Sequence, residues 1–435
     1  MKHLFFVLLL FSLSVSSEEK TVKTIADAVK MAVEQHPAVS AASKGSQAAK
    51  AGIGEAESEL YPSVDLRAAY GREENENSTV TNDNDRHRTL SRFESSIVVR
   101  QNLYTGGRIS NNIEKRQHLA TEAFYNFLDE KERTAFTAVD AYLEFCRNRA
   151  LIKLAENNVK IHQEILDIVE ERKKRGMSRD ADVIQVKGRL ALAKAQYQRE
   201  LANKKSAIEQ FSEAVGAVPA DDIEEPASLQ EKLPEDLKAA KNTALTEHPV
   251  ITARTHNVEA SQAAAREVEG AYYPQVALEF RGQENDNIGG TRGNDDTYSA
   301  MVVVNWNVFR GGADKAAKVA RLFEAEQASD LLIDQKRKIS RNIGVSWFDY
   351  QGILVELNYF LQHEKASKET LEAYREQYKL NRRTLFDLLN AQNELFLASS
   401  RVIETNYSKF RGVYSIFANM GNITQQFIEV DVKKR

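Results

Sequence analysis

The stretch "GAYYPQVALEF" (270–280) has a partner in "SELYPSVDLRAAY" (58–70). In both, a run of helix-forming residues is cut by Tyr-Pro, at Pro62 and Pro274, 212 residues apart (274 − 62). Proline removes a donor and pushes the residue before it out of the helical region, so the helix must stop. Alternating apolar residues follow: Val64, Leu66, Ala68 and Tyr70 in one copy, Val276, Leu278 and Phe280 in the other. That period of two is a strand signal.

The whole chain is one unit written twice. "EQHPAVSAA" (34–42) matches "TEHPVITAR" (246–254), and "NLYTGGRISN" (102–111) resembles "NVFRGGADKA" (307–316). His36 and His248 share the offset of 212. Gly106-Gly107 and Gly311-Gly312 differ by 205 (311 − 106), as do Asp182 and Asp387, and Gly216 and Gly421. The seven-residue shift falls between the Tyr-Pro and Gly-Gly marks, which argues for an exposed loop there. The halves span about 24–216 and 236–421. Pro219, Pro226 and Pro234 mark the joining segment, 217–240, as a connector.

Each half, 18–216 and 241–421, reads helix, β-hairpin (61–104 and 273–309), long helix (109–174 and 313–379), turn, helix (180–215 and 385–419). A short tail, 422–435, ends the chain. Polar loops, 72–91 and 282–296, join the strands of each hairpin. In the last strand Tyr298, Ala300, Val302, Val304, Trp306 and Val308 share one face. Ile109 to Lys174 contains no proline or glycine and makes a helix of ~100 Å at 1.5 Å per residue. Phe136, Val139, Leu143, Cys146, Ala150 and Leu154 step by threes and fours, a coiled-coil stripe.

Composition excludes several classes. Net charge is −4, which gives no nucleic-acid footprint. The single cysteine, Cys146, rules out an intramolecular disulfide framework and reads as a buried small apolar residue. Met1-Lys2-His3, the apolar run Leu4–Leu13 and small Ser14–Ser16 read as a signal peptide over 1–17, removed near Ser17 or Glu18. No cysteine follows for lipid attachment. No later run is apolar and long enough for a transmembrane helix, so membrane insertion must use strands. The Gly-Gly pairs lack the Lys-Ser/Thr and spacing of a phosphate loop. No acid/base pair or nucleophile constellation appears. The eight histidines, His3, His36, His87, His118, His162, His248, His256 and His363, are read without ligand partners, so no metal or cofactor is expected. His36 and His248, before proline, are given a local polar or capping role.

Two hairpins supply four strands of ~10 residues, long enough to cross a membrane tilted. Four strands cannot close a barrel, and open edges are not tolerated in lipid, so the chain must oligomerise. Two copies would give eight strands and three would give twelve. The helices form a tube on the side opposite the polar loops.

The repeat, the Tyr-Pro before each first strand, "YTGGR" and "FRGG" after each hairpin, and the two helix turns together resemble the TolC family of outer-membrane efflux proteins, over about residues 24–421. The resemblance implies a mainly α chain with a small β part, a homotrimer with a twelve-stranded barrel in the outer membrane of a Gram-negative bacterium, and an α-helical periplasmic tunnel. "YGREENENST" and "RFESSIVVRQNLYTGGR" look most like the type I secretion branch, which works with an ABC exporter and a periplasmic adaptor on large proteins. A drug-efflux role with another inner-membrane pump is the alternative. A secreted coiled-coil scaffold is the second, but it leaves the strands unexplained.

By the same resemblance, "RGMSRDADV" (175–183) and "YKLNRRTLFDLLNAQ" (378–392) are the turns closing the periplasmic end. Gly176, Met177, Ser178, Leu380, Asn381 and Arg382 would form the adaptor-contact tips. Asn381 replaces the usual glycine, and asparagine tolerates positive φ. Asp182, Tyr378 and Arg383 would meet as a gate, and Asp387 would form an acidic ring. Asn390 stands where the family often has a second aspartate. The charge run "EERKKR" (170–175) is read as solvated helix surface. Pro62, Gly106, Gly107, Pro274, Gly311 and Gly312 are the strand–helix hinges.

Overall fold

A computed structural model describes residues 21–76, 88–226 and 228–428. The expected signal peptide, the middle of loop 72–91 and the last residues of the tail lie outside the described residues. The chain is mostly helical. Its helices are α1 (Ile25–Gln35), α2 (Pro37–Glu57), α3 (Arg108–Lys174), α4 (Asp180–Val215), α5 (Leu237–Glu247), α6 (Pro249–Glu269), α7 (Ala313–Lys379) and α8 (Leu385–Met420). Its strands are β1 (Thr21–Val22), β2 (Ser63–Asn75), β3 (Arg88–Tyr104), β4 (Val218–Pro219), β5 (Gln275–Asp286) and β6 (Thr297–Asn305). No helix among the described residues is long and apolar enough to cross a membrane. Two compact units emerge, one from Ala41–Asp129 with Leu245–Ser340, the other from the remaining segments.

The first unit holds an antiparallel sheet of order β2-β3-β5-β6, so β2 and β6 are its edges. The two hairpins pair identically once the offsets are applied. Ser63 faces Arg100 and Gln275 faces Asn305; the first members differ by 212 (275 − 63) and the second by 205 (305 − 100). Opposite residues in antiparallel strands share a face. Val64–Val99–Phe280–Ala300 and Leu66–Ile97–Gly282–Tyr298 are therefore rows of one apolar face. Arg67, Ser96, Arg100, Glu279, Arg281 and Asn305 belong to the other. Leu66, Tyr70, Tyr298 and Val302 are exposed.

The hinges are built alike. Helix tightens into a 3₁₀ turn, Ser58–Leu60 or Gly270–Tyr272, before Tyr61-Pro62 or Tyr273-Pro274 turns extended. After each hairpin, Gly106 and Gly107 take φ of 62° and 84°, and Gly311 and Gly312 take 61° and 86°, which only glycine adopts freely. A Cβ on Gly106 would lie 2.7 Å from Tyr273 Cβ, so this turn also needs glycine for space.

Several boundaries depart from the sequence reading: β2 and β3 extend into the expected loop 72–91, to Asn75 and from Arg88, and β5 extends into 282–296, to Asp286. The first helix of each half is not continuous: it breaks at His36-Pro37 and at His248-Pro249. The imidazole Nδ1 of each histidine accepts from the N–H two residues on, Ala38 at 3.2 Å and Val250 at 3.3 Å. Histidine thus stands in for a Ser or Asp cap, and proline fits the first helical position because its missing N–H is not needed there. The final strand stops at Asn305 rather than running to Phe309, because the Trp306 indole N–H turns to the Tyr272 carbonyl at 3.2 Å. The repeat-related Gln101 Nε2 donates to Leu60 O at 2.8 Å.

The second unit contains α3 from Glu130 onward, α4, α7 from Arg341 onward, α8 and a belt. Gly412 on α8 lets Tyr350 of α7 approach, its ring 3.1 Å from the glycine's Cβ position. In the belt, β1 and β4 pair in parallel, and Glu224 N–H donates to Lys23 O at 2.9 Å. The hydroxyl of buried Tyr142 lies 3.0 Å from Lys23 O and 2.7 Å from Glu224 O. Cys146 is fully buried beside it, and burial pushes its thiol up to about 12, so it is an inert packing group. The segment 217–240 is not all connector, since α5 begins at Leu237. Ile423 of the tail is fully buried, and Thr424 N–H donates to Glu132 Oε2 at 3.1 Å.

Candidate functional site

The two turns have one geometry. α3 ends with Met177 N–H bonded to Arg172 O and Gly176 N–H to Lys173 O, both at 2.8–2.9 Å. α7 ends with Arg382 N–H bonded to Gln377 O at 2.8 Å and Asn381 N–H to Tyr378 O at 3.1 Å. These are the paired carbonyl-satisfying bonds of a left-handed helix end. Gly176 has φ 75° and Asn381 φ 57°. Met177 and Leu380 are exposed, at 52% and 66%. Exposed apolar tips on two adjacent turns are suited to a partner surface.

The helices restart with caps. Thr384 Oγ1 accepts from Asp387 N at 3.2 Å while Asp387 Oδ2 accepts from Thr384 N at 3.3 Å, a reciprocal box, and from Thr384 Oγ1 at 2.8 Å. Those bonds hold the Asp387 carboxyl below the usual carboxylate range. In the first turn Asp182 Oδ2 accepts from Arg179 N at 2.9 Å. Both candidate gate aspartates are thus helix caps in this chain.

Beneath the turns a single apolar cluster joins the two helix pairs. It contains Leu166, Val169, Val183, Val186 and Leu190 with Leu371, Tyr378, Leu385 and Leu389. Tyr378 is the bridge: burial pushes its phenol up, Ser178 hydrogen-bonds it, and the charge of Asp182 acts on it. Tyr378 and Asp182 are therefore brought together. Arg383 is not. Its Nε donates to Gln377 Oε1 at 2.9 Å, its guanidinium stacks 4.3 Å over Tyr374, and Asp387 lies 3.9 Å from its Nη1. Among the described residues no ion pair joins Arg383 to Asp182. Arg383 finds better partners on its own helix pair, where a π face and an amide cost no long reach. Asn390 accepts from Arg189 Nη2 at 3.1 Å, a direct link between α4 and α8.

Arg172 was not among the expected site residues. Its guanidinium lies 5.0 Å over the Tyr378 ring and bonds Asn381 Oδ1. It belongs to the run read as solvated surface. The available signal was its place one helical turn before Gly176, where a cation meets the C-terminal carbonyls. The reading of the histidines also needs correction. Glu259 lies three residues after His256 on the same helix, and His118, His256 and Glu259 converge from α3 and α6.

The sequence model for outer membrane efflux proteins matches residues 28–217 and 241–421. The chain belongs to the outer membrane efflux protein family. The outer membrane efflux protein BepC of Brucella suis is 26% identical over 77% of this chain and 74% of its own. The fold is that of the outer-membrane channel OprN, with a TM-score of 0.80 at 19% identity over 92% of this chain and 90% of that one. The CmeC outer membrane channel of Campylobacter jejuni gives 0.79 at 15% identity over 97% and 94%. The chain is an outer-membrane protein of this efflux family, not an enzyme. The narrower expectation of protein secretion is not what these relatives point to: the family and BepC are both described by efflux.

Proposed function

We propose that this protein is the outer-membrane channel of a tripartite efflux system, a homotrimer working with a periplasmic adaptor and an inner-membrane pump. The observation that carries this reading is the four-stranded sheet with one apolar face and two open edges. In lipid such a sheet is stable only when closed. The identical register of the two hairpins supplies the rule for closure: β6 of one protomer pairs with β2 of the next as β3 pairs with β5 within the chain. Val99 faces Phe280 and Arg100 faces Glu279. Applying the two offsets, Val304 faces Ala68 and Asn305 faces Arg67 of the neighbouring protomer. Three chains then give twelve strands.

In this reading α3, α4, α7 and α8 continue the pore into the periplasm. Gly176, Met177, Ser178, Leu380, Asn381 and Arg382 present the adaptor surface, and Asp387 lines the constriction. Cargo passes by diffusion along a pore that the adaptor opens. Small toxic compounds fit this role, and they replace the large protein substrate suggested by the loop motifs.

Deletion of the gene with plasmid complementation tests it. Deletion should raise intracellular accumulation of a fluorescent efflux dye several-fold, and the wild-type plasmid should reverse this. Unchanged accumulation, with loss of one large protein from the medium, would return the assignment to secretion.

A further inference from the structure

His118 on α3 and His256 on α6 point their Nδ1 atoms at one another, 3.1 Å apart, and at the same carboxylate oxygen. Glu259 Oε2 lies 2.9 Å from His118 Nδ1 and 2.7 Å from His256 Nδ1. All three residues are half-buried and belong to the sheet-bearing unit. Glu259 Oε2 is itself inaccessible to solvent and accepts no well-directed hydrogen bond among the described residues. A proton on one ring relieves one contact and leaves the others facing lone pair to lone pair. A cation at the centre satisfies all three at once.

The rest of the shell fits that occupant. Glu114 Oε1 stands 4.0 Å from His118 Nε2 and is held by Arg266 Nη2 at 2.7 Å. At that distance Glu114 makes no hydrogen bond to Nε2, and only its negative charge favours a proton there, which leaves Nδ1 free to ligate. Tyr125 stacks on His256, ring centroids 6.3 Å apart, and limits its rotation. The two imidazoles are 26° from parallel, with ring centroids 5.4 Å apart. The internal repeat does not require this cluster. Its counterparts by the same offsets are Phe323, Lys44 and Gln47, none of them a histidine or carboxylate.

We propose that His118, His256 and Glu259 bind a divalent first-row transition ion, with zinc the best match, and that the ion ties α3 to α6. Two imidazoles and one carboxylate suit zinc with water completing the set, and exclude the hard, all-oxygen preference of calcium and magnesium. Three ligands within ~3 Å of one another leave an ion at ~2.1 Å from each, displaced to one side of their plane.

The test uses untagged full-length protein in detergent, freed of metal with EDTA and titrated calorimetrically with zinc chloride. One ion per chain should bind, and the melting temperature should rise on loading. Cobalt(II) should give visible absorption bands in the same stoichiometry, while magnesium should give no heat. His118→Gln and Glu259→Gln should each weaken zinc binding at least tenfold, whereas His363→Gln should leave it unchanged. Size-exclusion elution matching wild type shows that the variants are folded. Absence of zinc binding to wild type, or equal binding by folded His118→Gln, would overturn the assignment.

Discussion

Tyr273 occupies the space a side chain would need at Gly106: a Cβ there would sit 2.7 Å from Tyr273 Cβ and 2.9 Å from Gly270 O. The repeat-related glycine, Gly311, has the same backbone but nothing within 4 Å of its Cβ position. By the offset of 212, the counterpart of Tyr273 is Tyr61, which is 69% exposed. In the proposed trimer Tyr61 of the neighbouring protomer would take that place.

Gly106→Ala should therefore damage the chain itself, while Gly311→Ala should act at assembly. At positive φ the alanine costs ~1 kcal/mol through the backbone alone in either case. Gly106→Ala should lower the yield of folded protein. Gly311→Ala should give folded chains whose trimer dissociates at lower temperature in a heated gel. A Gly311→Ala trimer with wild-type heat resistance would contradict the packing.

Gly176→Val should strain the first turn by roughly 1–3 kcal/mol, since a β-branched residue is forced into left-handed space. Asn381→Gly relieves the positive φ but loses the Arg172 bond to Asn381 Oδ1, so it should be close to neutral. The expected result is impaired dye efflux with normal trimer level for Gly176→Val and normal efflux for Asn381→Gly. Arg172→Ala should weaken the second turn by about 1 kcal/mol through loss of the Tyr378 stack, read as faster proteolysis near Asn381.

Asp387 caps α8, and mutation can separate that role from the constriction role proposed for it. Thr384→Ala removes the cap and keeps the charge, at a cost of about 1 kcal/mol. Asp387→Asn removes the charge. In a planar bilayer, block by multivalent cations added at the periplasmic side should weaken in Asp387→Asn and persist in Thr384→Ala. Equal block in all three proteins would remove Asp387 from the constriction. Arg383→Glu, which puts a second carboxylate beside Asp387, should raise conductance.

His248 makes stability pH-dependent. Burial lowers its pKa from 6.5 to about 4. Its folded pKa lies below the unfolded one, so its contribution is fully present above about 6.5 and is lost as pH falls toward 4. The melting temperature should drop across that window more steeply in wild type than in His248→Asn, which caps without titrating. Parallel curves would show that other groups dominate.

Much of the fold was legible because its signals are local. Tyr-Pro, Gly-Gly and the period-two runs act within a few residues, and the offsets of 212 and 205 hold even in strand register. The breaks at His36 and His248 were missed because histidine is an uncommon cap and the flanking residues favour helix. Within the chain Arg383 goes to Gln377 and Tyr374 rather than to Asp182, a choice that depends on how two helix pairs pack and that spacing alone does not give. The His118–His256 pair, 138 residues apart, was beyond any spacing rule.

Closure of the sheet between protomers is the central claim, and disulfide formation tests it most directly. Ala68→Cys and Val304→Cys should be combined in a Cys146→Ser background and oxidised in isolated outer membranes. Covalent dimers and trimers should appear on a non-reducing gel and disappear with reductant, while the two-residue slip pair Ala68→Cys with Val302→Cys should link far less. Monomer only, or a ladder ending at dimer, would contradict the twelve-stranded barrel.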